Sequence, residues 1–335
     1  MNAPSPRDAL ARPLRDLRLS VIEACNFRCP YCMPAERIAD DHGLDAASRL
    51  SFEQIEALVR GFARLGVRKL RLTGGEPLLR KRLPELVARL ARIDGIDDLA
   101  LTTNGSLLAA HAQALRDAGL RRITVSLDTL DAGLFRALSG GRGELRDTLA
   151  GIEAAQAAGF APVKLNCVVQ RGVNDAGIEA LVAFAREHGH LLRFIEYMDV
   201  GTCNGWSRAR VLPSVELHDR IAARWPLRPL DPNYRGEVAS RYAYADGRGE
   251  IGFVSSVSEP FCGDCHRARV SADGRLYTCL FAAQGHDLRE VLAGGEEALA
   301  THVAALWSGR ADRYSEIRSE AGSSRKHVEM YLVGG

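Results

Sequence analysis

The chain has 335 residues, 46% hydrophobic and 26% charged, which suits a globular protein with one large core or a core plus a smaller unit. Its 44 basic and 42 acidic side chains leave a formal charge of +2, too weak a field to argue for nucleic acid as a partner. No apolar run approaches the roughly 20 residues that cross a bilayer, and Met1–Ala11 lacks the apolar stretch of an export signal.

The expected setting is a reducing cytoplasm, with residues 1–12 a flexible tail. Leu17–Ile22 is apolar and β-branched enough for a strand. Ser51 reads as an N-cap, with Ile55, Leu58, Val59 and Phe62 following at helical spacing. Strand and helix then alternate: strand Lys69–Thr73, helix Leu83–Leu90, strand Leu99–Thr103, helix Leu107–Ala118, strand Arg122–Asp128, helix Leu145–Ala158, strand Val163–Gln170, helix Ala176–His188 and strand Leu191–Met198. Repeated βα units imply a parallel sheet with right-handed crossovers. Six units are too few to close an eight-fold barrel. The predicted fold is therefore α/β, a partial (β/α)6 TIM-like barrel over residues 13–212, with chemistry at the C-terminal ends of its strands.

The rhythm breaks after residue 212. A helix over Pro213–Arg224 precedes Pro226, Pro229 and Pro232, and short alternating runs at Arg241–Ala245 and Glu250–Val254 suggest hairpins. Helical stretches near Asp287–Leu292 and Glu296–Trp307 complete a C-terminal unit over residues 213–335.

Six of the eight cysteines fall into two tight groups, and in a reducing compartment cysteines serve as metal ligands more often than as disulfides. Cys25, Cys29 and Cys32 follow the first strand with gaps of three and two residues. Three thiolates can hold one face of an iron–sulfur cubane, whose usual complement is four, and leave one iron open. A structural zinc site is the alternative, but it wants a fourth ligand, and the nearest histidine, His42, lacks the usual short spacing. Thr73-Gly74-Gly75-Glu76-Pro77 ends the second strand, where glycines let backbone approach a ligand closely.

Cys262, Cys265 and Cys279 form the second group. Asp273-Gly274 is a hairpin turn signal that returns Cys279 toward the other two. Half a zinc ribbon completed by His266 or His286 competes with a second three-cysteine cluster. Arg267 and Arg269 alternate on the adjoining strand and so share a face, which suits a polyphosphate. Cys167 reads as a small core residue and Cys203 as a loop residue.

Cys-x3-Cys-x2-Cys with an aromatic before its last cysteine resembles the signature of the radical S-adenosylmethionine superfamily. Cys-Gly-Asp-Cys-x-Arg-x-Arg followed by Cys-Leu-Phe is similar to the C-terminal signature of the MoaA family, the GTP 3′,8-cyclases of molybdenum cofactor biosynthesis. Further matches run from residue 12 to the terminal Gly-Gly, among them Arg71-Leu-Thr-Gly-Gly-Glu-Pro, Thr102-Thr-Asn-Gly105, Ser126-Leu-Asp128, Gly172-Val-Asn-Asp175 and Arg193-Phe-Ile-Glu-Tyr-Met198.

The resemblance implies two 4Fe-4S clusters and S-adenosyl-L-methionine as cofactors, and GTP as substrate. Cleavage of S-adenosylmethionine gives a 5′-deoxyadenosyl radical that takes hydrogen from ribose C3′. The C3′ radical then attacks guanine C8, giving 3′,8-cyclo-7,8-dihydro-GTP. It further implies that Cys25, Cys29, Cys32, Arg267 and Arg269 are catalytic. Tyr31, Gly75, Glu76, Ser126 and Met198 meet the S-adenosylmethionine, while Arg18, Arg71, Thr102, Lys164, Arg267 and Arg269 meet GTP. Cys25, Cys29, Cys32, Cys262, Cys265 and Cys279 hold metal. Expected partners are a reductant such as flavodoxin or ferredoxin and the cyclic pyranopterin monophosphate synthase that takes the product, with room for a homodimer.

Three departures from the family pattern stand out: Glu23-Ala24 for Asp-Arg, His266 for Asn, and a Met330-Tyr-Leu-Val-Gly-Gly tail. A peptide-modifying radical enzyme is the nearest competing assignment. It would commonly carry more C-terminal cysteines than these three. A non-enzymatic zinc or nucleic-acid module is the other.

Overall fold

The strands of the barrel alternate in a way that fixes both of their faces. In β1 (Asp16–Ser20), Leu17 and Leu19 are buried while Arg18 points the other way, and β2 (Lys69–Thr73) repeats this with Leu70 and Leu72 around Arg71. The apolar face packs under helices and the polar face lines a cavity. The computed structural model describes residues 5–35, 45–318 and 327–334; His42 and Gly335 lie outside them.

After β2 the chain continues through β3 (Asp98–Thr103), β4 (Arg122–Ser126), β5 (Lys164–Val169) and β6 (Leu191–Glu196). The helices between them are α1 (Phe52–Arg64), α2 (Leu83–Leu90), α3 (Ala112–Asp117), α4 (Ala132–Leu138), α5 (Leu145–Ala157) and α6 (Ile178–Glu187). Ser51 caps α1 as a capping box with Gln54. Helix α4 was not anticipated from the sequence, although Asp131 caps it by accepting from the Leu134 N–H at 2.6 Å. Beyond the barrel lie α7 (Ser214–Ala222), β7 (Leu227–Leu230), β8 (Ser240–Tyr244), β9 (Glu250–Val254), β10 (Arg267–Val270), β11 (Arg275–Tyr277), β12 (His286–Asp287), α8 (Arg289–Ala293), α9 (Glu296–Ser308) and α10 (Met330–Val333).

The six predicted strands are parallel and neighbours in chain order, as the βα rhythm requires. The sheet does not stop there. β9 pairs in parallel with β6, and β10 pairs in parallel with β1, so eight parallel strands wrap the cavity. The expected hairpins, β8–β9 and β10–β11, do form. What the sequence did not reveal is that they dock on the two open edges of the barrel, whose unpaired N–H and C=O groups template a further strand. Cys167, on β5, is buried in the core as expected.

The N-terminal segment departs from expectation. Residues 5–12 are packed rather than loose, with Asp8 and Arg12 buried and Asp8 Oδ2 2.6 Å from Arg12 Nε. A buried ion pair needs both partners held in place. Among the described residues, no helix is long and apolar enough to cross a membrane.

Candidate active site

One cavity runs between the inward faces of the strands, and both cysteine triads lie on its wall. Parallel pairing fixes their separation. The first triad follows the C-terminal end of β1, while Cys262 and Cys265 precede the N-terminal end of the adjacent parallel strand β10. β11 runs antiparallel to β10 and carries Cys279 back to that same end. The triads therefore face each other from opposite ends of the barrel, about 13 Å of strand apart at roughly 3.3 Å per residue. The expectation that all chemistry gathers at the C-terminal strand ends holds for the first triad only.

The first loop is wound tightly. The Cys32 and Met33 N–H groups both donate to the Cys29 carbonyl, at 3.0 and 2.8 Å. The buried Arg28 guanidinium donates to the carbonyls of Cys25 (2.7 Å) and Phe27 (2.9 Å), and the Phe27 N–H reaches Cys25 Sγ at 3.4 Å. Asn104, from the Thr-Asn-Gly turn after β3, holds Asn26 at 2.9 Å. The departure at Glu23 is accommodated, since its buried carboxylate pairs with Arg49.

Gly74 and Gly75 make a close backbone approach, here against the cysteine loop itself. The Gly75 N–H donates to the Ile22 carbonyl and the Glu76 N–H to the Ala24 carbonyl, both at 2.8 Å. A Cβ on either glycine would collide with those same carbonyls. Glu76 is not on the cavity wall. Its carboxylate accepts from the Leu78 N–H (3.0 Å), the Thr103 hydroxyl (2.7 Å) and the Asn104 N–H (2.8 Å). Burial pushes its pKa up to about 7 against those donors. Tyr31, Gly75, Ser126 and Met198 do line the cavity, and the Tyr31 hydroxyl donates to Asp128 at 2.7 Å.

At the other end, the Cys265 N–H donates to the Cys262 carbonyl at 3.2 Å, and Gly274, at φ +85°, makes the β10–β11 turn. Burial would raise the Cys265 thiol. Arg267, whose Nη2 lies 3.5 Å from the sulfur, together with Arg310 and Arg269 instead brings it down to about 5. A thiolate is the form that binds metal. Cys279 receives the Phe281 N–H at 3.5 Å. Neither histidine completes a zinc site: among the described residues no three His, Cys, Asp or Glu side chains gather as ligands of a single ion. The buried His266 ring lies against Tyr234, its Nδ1 3.7 Å from Asp16, and His286 is exposed.

Between the triads the wall is cationic. Arg18, Arg71, Lys164, Arg267 and Arg269 all reach it, as does Thr102, to which Arg71 donates at 2.8 Å. Burial, then neighbouring arginines, pulls Lys164 down to about 6 and Arg71 to about 10. Among the described residues, the Nε atoms of Arg267, Arg269 and Arg193 are buried without hydrogen-bond partners. Crowded, under-neutralised cations with spare donors are the complement of a polyanion.

Arg193 was quoted from the sequence only as part of a motif, yet it lines the cavity on β6 beside Ile195. Its i, i+2 spacing from the inward Ile195 was the available signal. Arg12 and Arg310 also reach the cavity and carried no local signal.

Residues 19–185 match the Radical SAM superfamily and residues 190–316 match Molybdenum Cofactor Synthesis C. A GTP 3′,8-cyclase of Xanthomonas campestris pv. campestris (strain 8004) is 67% identical over 335 residues, covering 100% of this chain and 99% of the relative. The chain belongs to the GTP 3′,8-cyclase family.

Other GTP 3′,8-cyclases are similar across their length: one from Xanthomonas axonopodis pv. citri is 65% identical, covering 100% of both chains, and one from Acidothermus cellulolyticus 54%, covering 96% of this chain and 91% of the relative. Among solved structures, Streptococcus suis SuiB bound to precursor peptide SuiA superposes with a TM-score of 0.63 at 14% identity, covering 94% of this chain and 75% of SuiB. That likeness concerns the fold alone. As a radical SAM member of the cyclase family, the chain takes 4Fe-4S clusters and S-adenosylmethionine, and three thiols at each end of one cavity are a fitting donor set for them.

Proposed function

We propose that this chain catalyses GTP 3′,8-cyclisation, the first step of molybdenum cofactor biosynthesis. One observation carries the reading: two three-cysteine loops face each other across a cavity whose wall between them holds five cations of the assigned set and Arg193. When bound, the first cluster and S-adenosylmethionine supply the radical that takes the ribose C3′ hydrogen.

The chain's own residues do the rest by position. Cys25, Cys29 and Cys32 hold the first cluster, while Tyr31, Gly75, Ser126 and Met198 orient S-adenosylmethionine. Glu76 acts through the hydrogen bonds that fix the Asn104 turn against the cysteine loop. Cys262, Cys265 and Cys279 would hold the second cluster, beside which the purine would sit. Arg18, Arg71, Lys164, Arg267 and Arg269 neutralise the triphosphate, and Thr102 orients the ribose. With the triphosphate on that cationic wall and the base near the second triad, the ribose would be held facing the first triad, so that orientation is fixed before reaction. Residues 13–212 form the radical S-adenosylmethionine unit and 213–335 the unit that carries the second cluster and the Gly-Gly tail, with GTP-binding residues drawn from both. A flavodoxin or ferredoxin supplies electrons, and a cyclic pyranopterin monophosphate synthase takes the product. The setting is the cytoplasm, and a homodimer is compatible with the reading.

Anaerobically reconstituted protein, incubated with GTP, S-adenosylmethionine and dithionite, is expected to give 5′-deoxyadenosine together with 3′,8-cyclo-7,8-dihydro-GTP. Absence of GTP binding, or purified protein holding zinc and no labile sulfide, would overturn the assignment.

A further inference from the structure

The N-terminal segment makes a buried knot that the assigned chemistry does not use. Asp8, Arg12 and Arg310 are 6%, 2% and 4% exposed. Asp8 Oδ2 accepts from Arg12 Nε at 2.6 Å and from Arg310 Nη1 at 3.0 Å. Each guanidinium then reaches a different cysteine of the second triad. Arg12 Nη1 donates to the Cys262 carbonyl at 2.6 Å, and Arg310 Nη1 donates to the Cys265 carbonyl at 2.7 Å. The third cysteine is tied indirectly: Arg12 Nη1 also donates to the Asp312 carbonyl at 2.9 Å, and Asp312 accepts from Thr278, next to Cys279, at 2.7 Å. Trp307 clamps the assembly, donating to the Arg12 carbonyl at 3.0 Å while its ring lies 4.5 Å from the Arg310 guanidinium.

Asp8 pairs with both guanidiniums, and Asp312 Oδ2, 3.4 Å from Arg310 Nε, is a second counter-charge. A buried guanidinium is costly unless it is paired and hydrogen-bonded, so these carboxylates and carbonyls fix where both arginines can sit. Both arginines line the cavity, and Arg12 Nη2 is buried with no hydrogen-bond partner among the described residues. We infer that the Asp8–Arg12–Arg310 knot is the positioning element of the second cysteine triad, making residues 8–12 part of the substrate-anchoring end. This rests on the reading that the second triad holds a cluster.

The test uses the full-length chain reconstituted anaerobically, comparing wild type with Arg12→Ala and Asp8→Asn. Wild type should hold about eight iron and eight sulfide, as two 4Fe-4S clusters require. Both variants should fall toward about four, keeping the first cluster's electron paramagnetic resonance signal and its response to S-adenosylmethionine. Arg12→Lys keeps the charge but offers a single nitrogen where Arg12 uses Nε for Asp8 and Nη1 for the Cys262 and Asp312 carbonyls. It should retain the iron with an altered second-cluster signal and GTP affinity weakened roughly tenfold or more, the usual range for groups behind metal ligands. If Arg12→Ala unfolds by circular dichroism, the nearly isosteric Asp8→Asn decides alone. Full iron with unaltered second-cluster signals in the variants would overturn the inference, and so would equal loss of both clusters. Wild type with only about four iron would overturn the underlying reading as well.

Discussion

Gly75→Ala is the sharpest probe of how the first site is built. The added Cβ would lie 2.5 Å from the Glu23 carbonyl oxygen and still closer to that of Ala24, where ordinary contacts begin near 3.5 Å. Both obstacles are backbone, so the loops must separate by about 1 Å. That movement sacrifices the Gly75–Ile22 and Glu76–Ala24 hydrogen bonds, each 2.8 Å and each contributing about 1 kcal/mol. Overpacking adds about 1–3 kcal/mol, for a total loss of about 3–5 kcal/mol. Denaturant titration of the apo protein measures that loss. Anaerobic 5′-deoxyadenosine formation measures the functional part, expected to drop about 100-fold for a 1 Å displacement of the cofactor end. Wild-type stability with wild-type cofactor cleavage would refute the claim that these glycines seat the cysteine loop.

Other expectations follow from the same geometry. Cys29→Ser should abolish 5′-deoxyadenosine formation while leaving GTP binding measurable by calorimetry. Arg267→Ala should weaken GTP binding by about 1.5–3 kcal/mol, the range for charge-assisted hydrogen bonds, and flatten its dependence on salt; unchanged affinity would count against the phosphate role. Glu76 is held neutral longer in the fold than in the unfolded chain, its pKa moving from 4.5 to about 7. Between those values the folded state binds more protons, so apo stability should fall as pH rises, by at most about 3 kcal/mol. Glu76→Gln should flatten that slope in urea titrations at pH 5 and 7.5. Cys203→Ser should leave cluster iron unchanged, because the serine hydroxyl keeps a donor toward Glu329 and the Cys32 carbonyl, which Cys203 Sγ meets at 2.9 and 3.8 Å.

Much of this was legible because the relevant signals are local. The βα periodicity located six of the eight barrel strands, since Leu17, Leu19, Leu70 and Leu72 must alternate with inward polar residues for one face to pack under helices. Cysteine spacing and the Asp273-Gly274 turn located both triads for the same reason. Contacts made across long sequence separations were not legible. Nothing near Glu250 or Arg267 announces that β9 and β10 complete the edges of the barrel. Nothing near Asp8 announces a partner at Arg310, and a polar, Pro-containing N-terminus reads as loose until the groups it buries against are known. Glu76 illustrates a subtler gap. Its motif was visible, but only its three donors reveal that the carboxylate braces a turn instead of facing the cavity.

Pairing of β10 with β1 ties the second cysteine triad to the first as marks on one ruler, Arg18 opposite Arg269 and Asp16 opposite Arg267. Sliding one mark shifts the reach by roughly 3.3 Å and turns both β10 arginines away from the nucleotide, because side chains alternate faces at every step. Surface loops of this enzyme should therefore tolerate length changes freely, whereas a single inserted or deleted residue between Asp16 and Ser20, or between Arg267 and Val270, should leave a folded barrel whose two ends no longer meet over the same ribose.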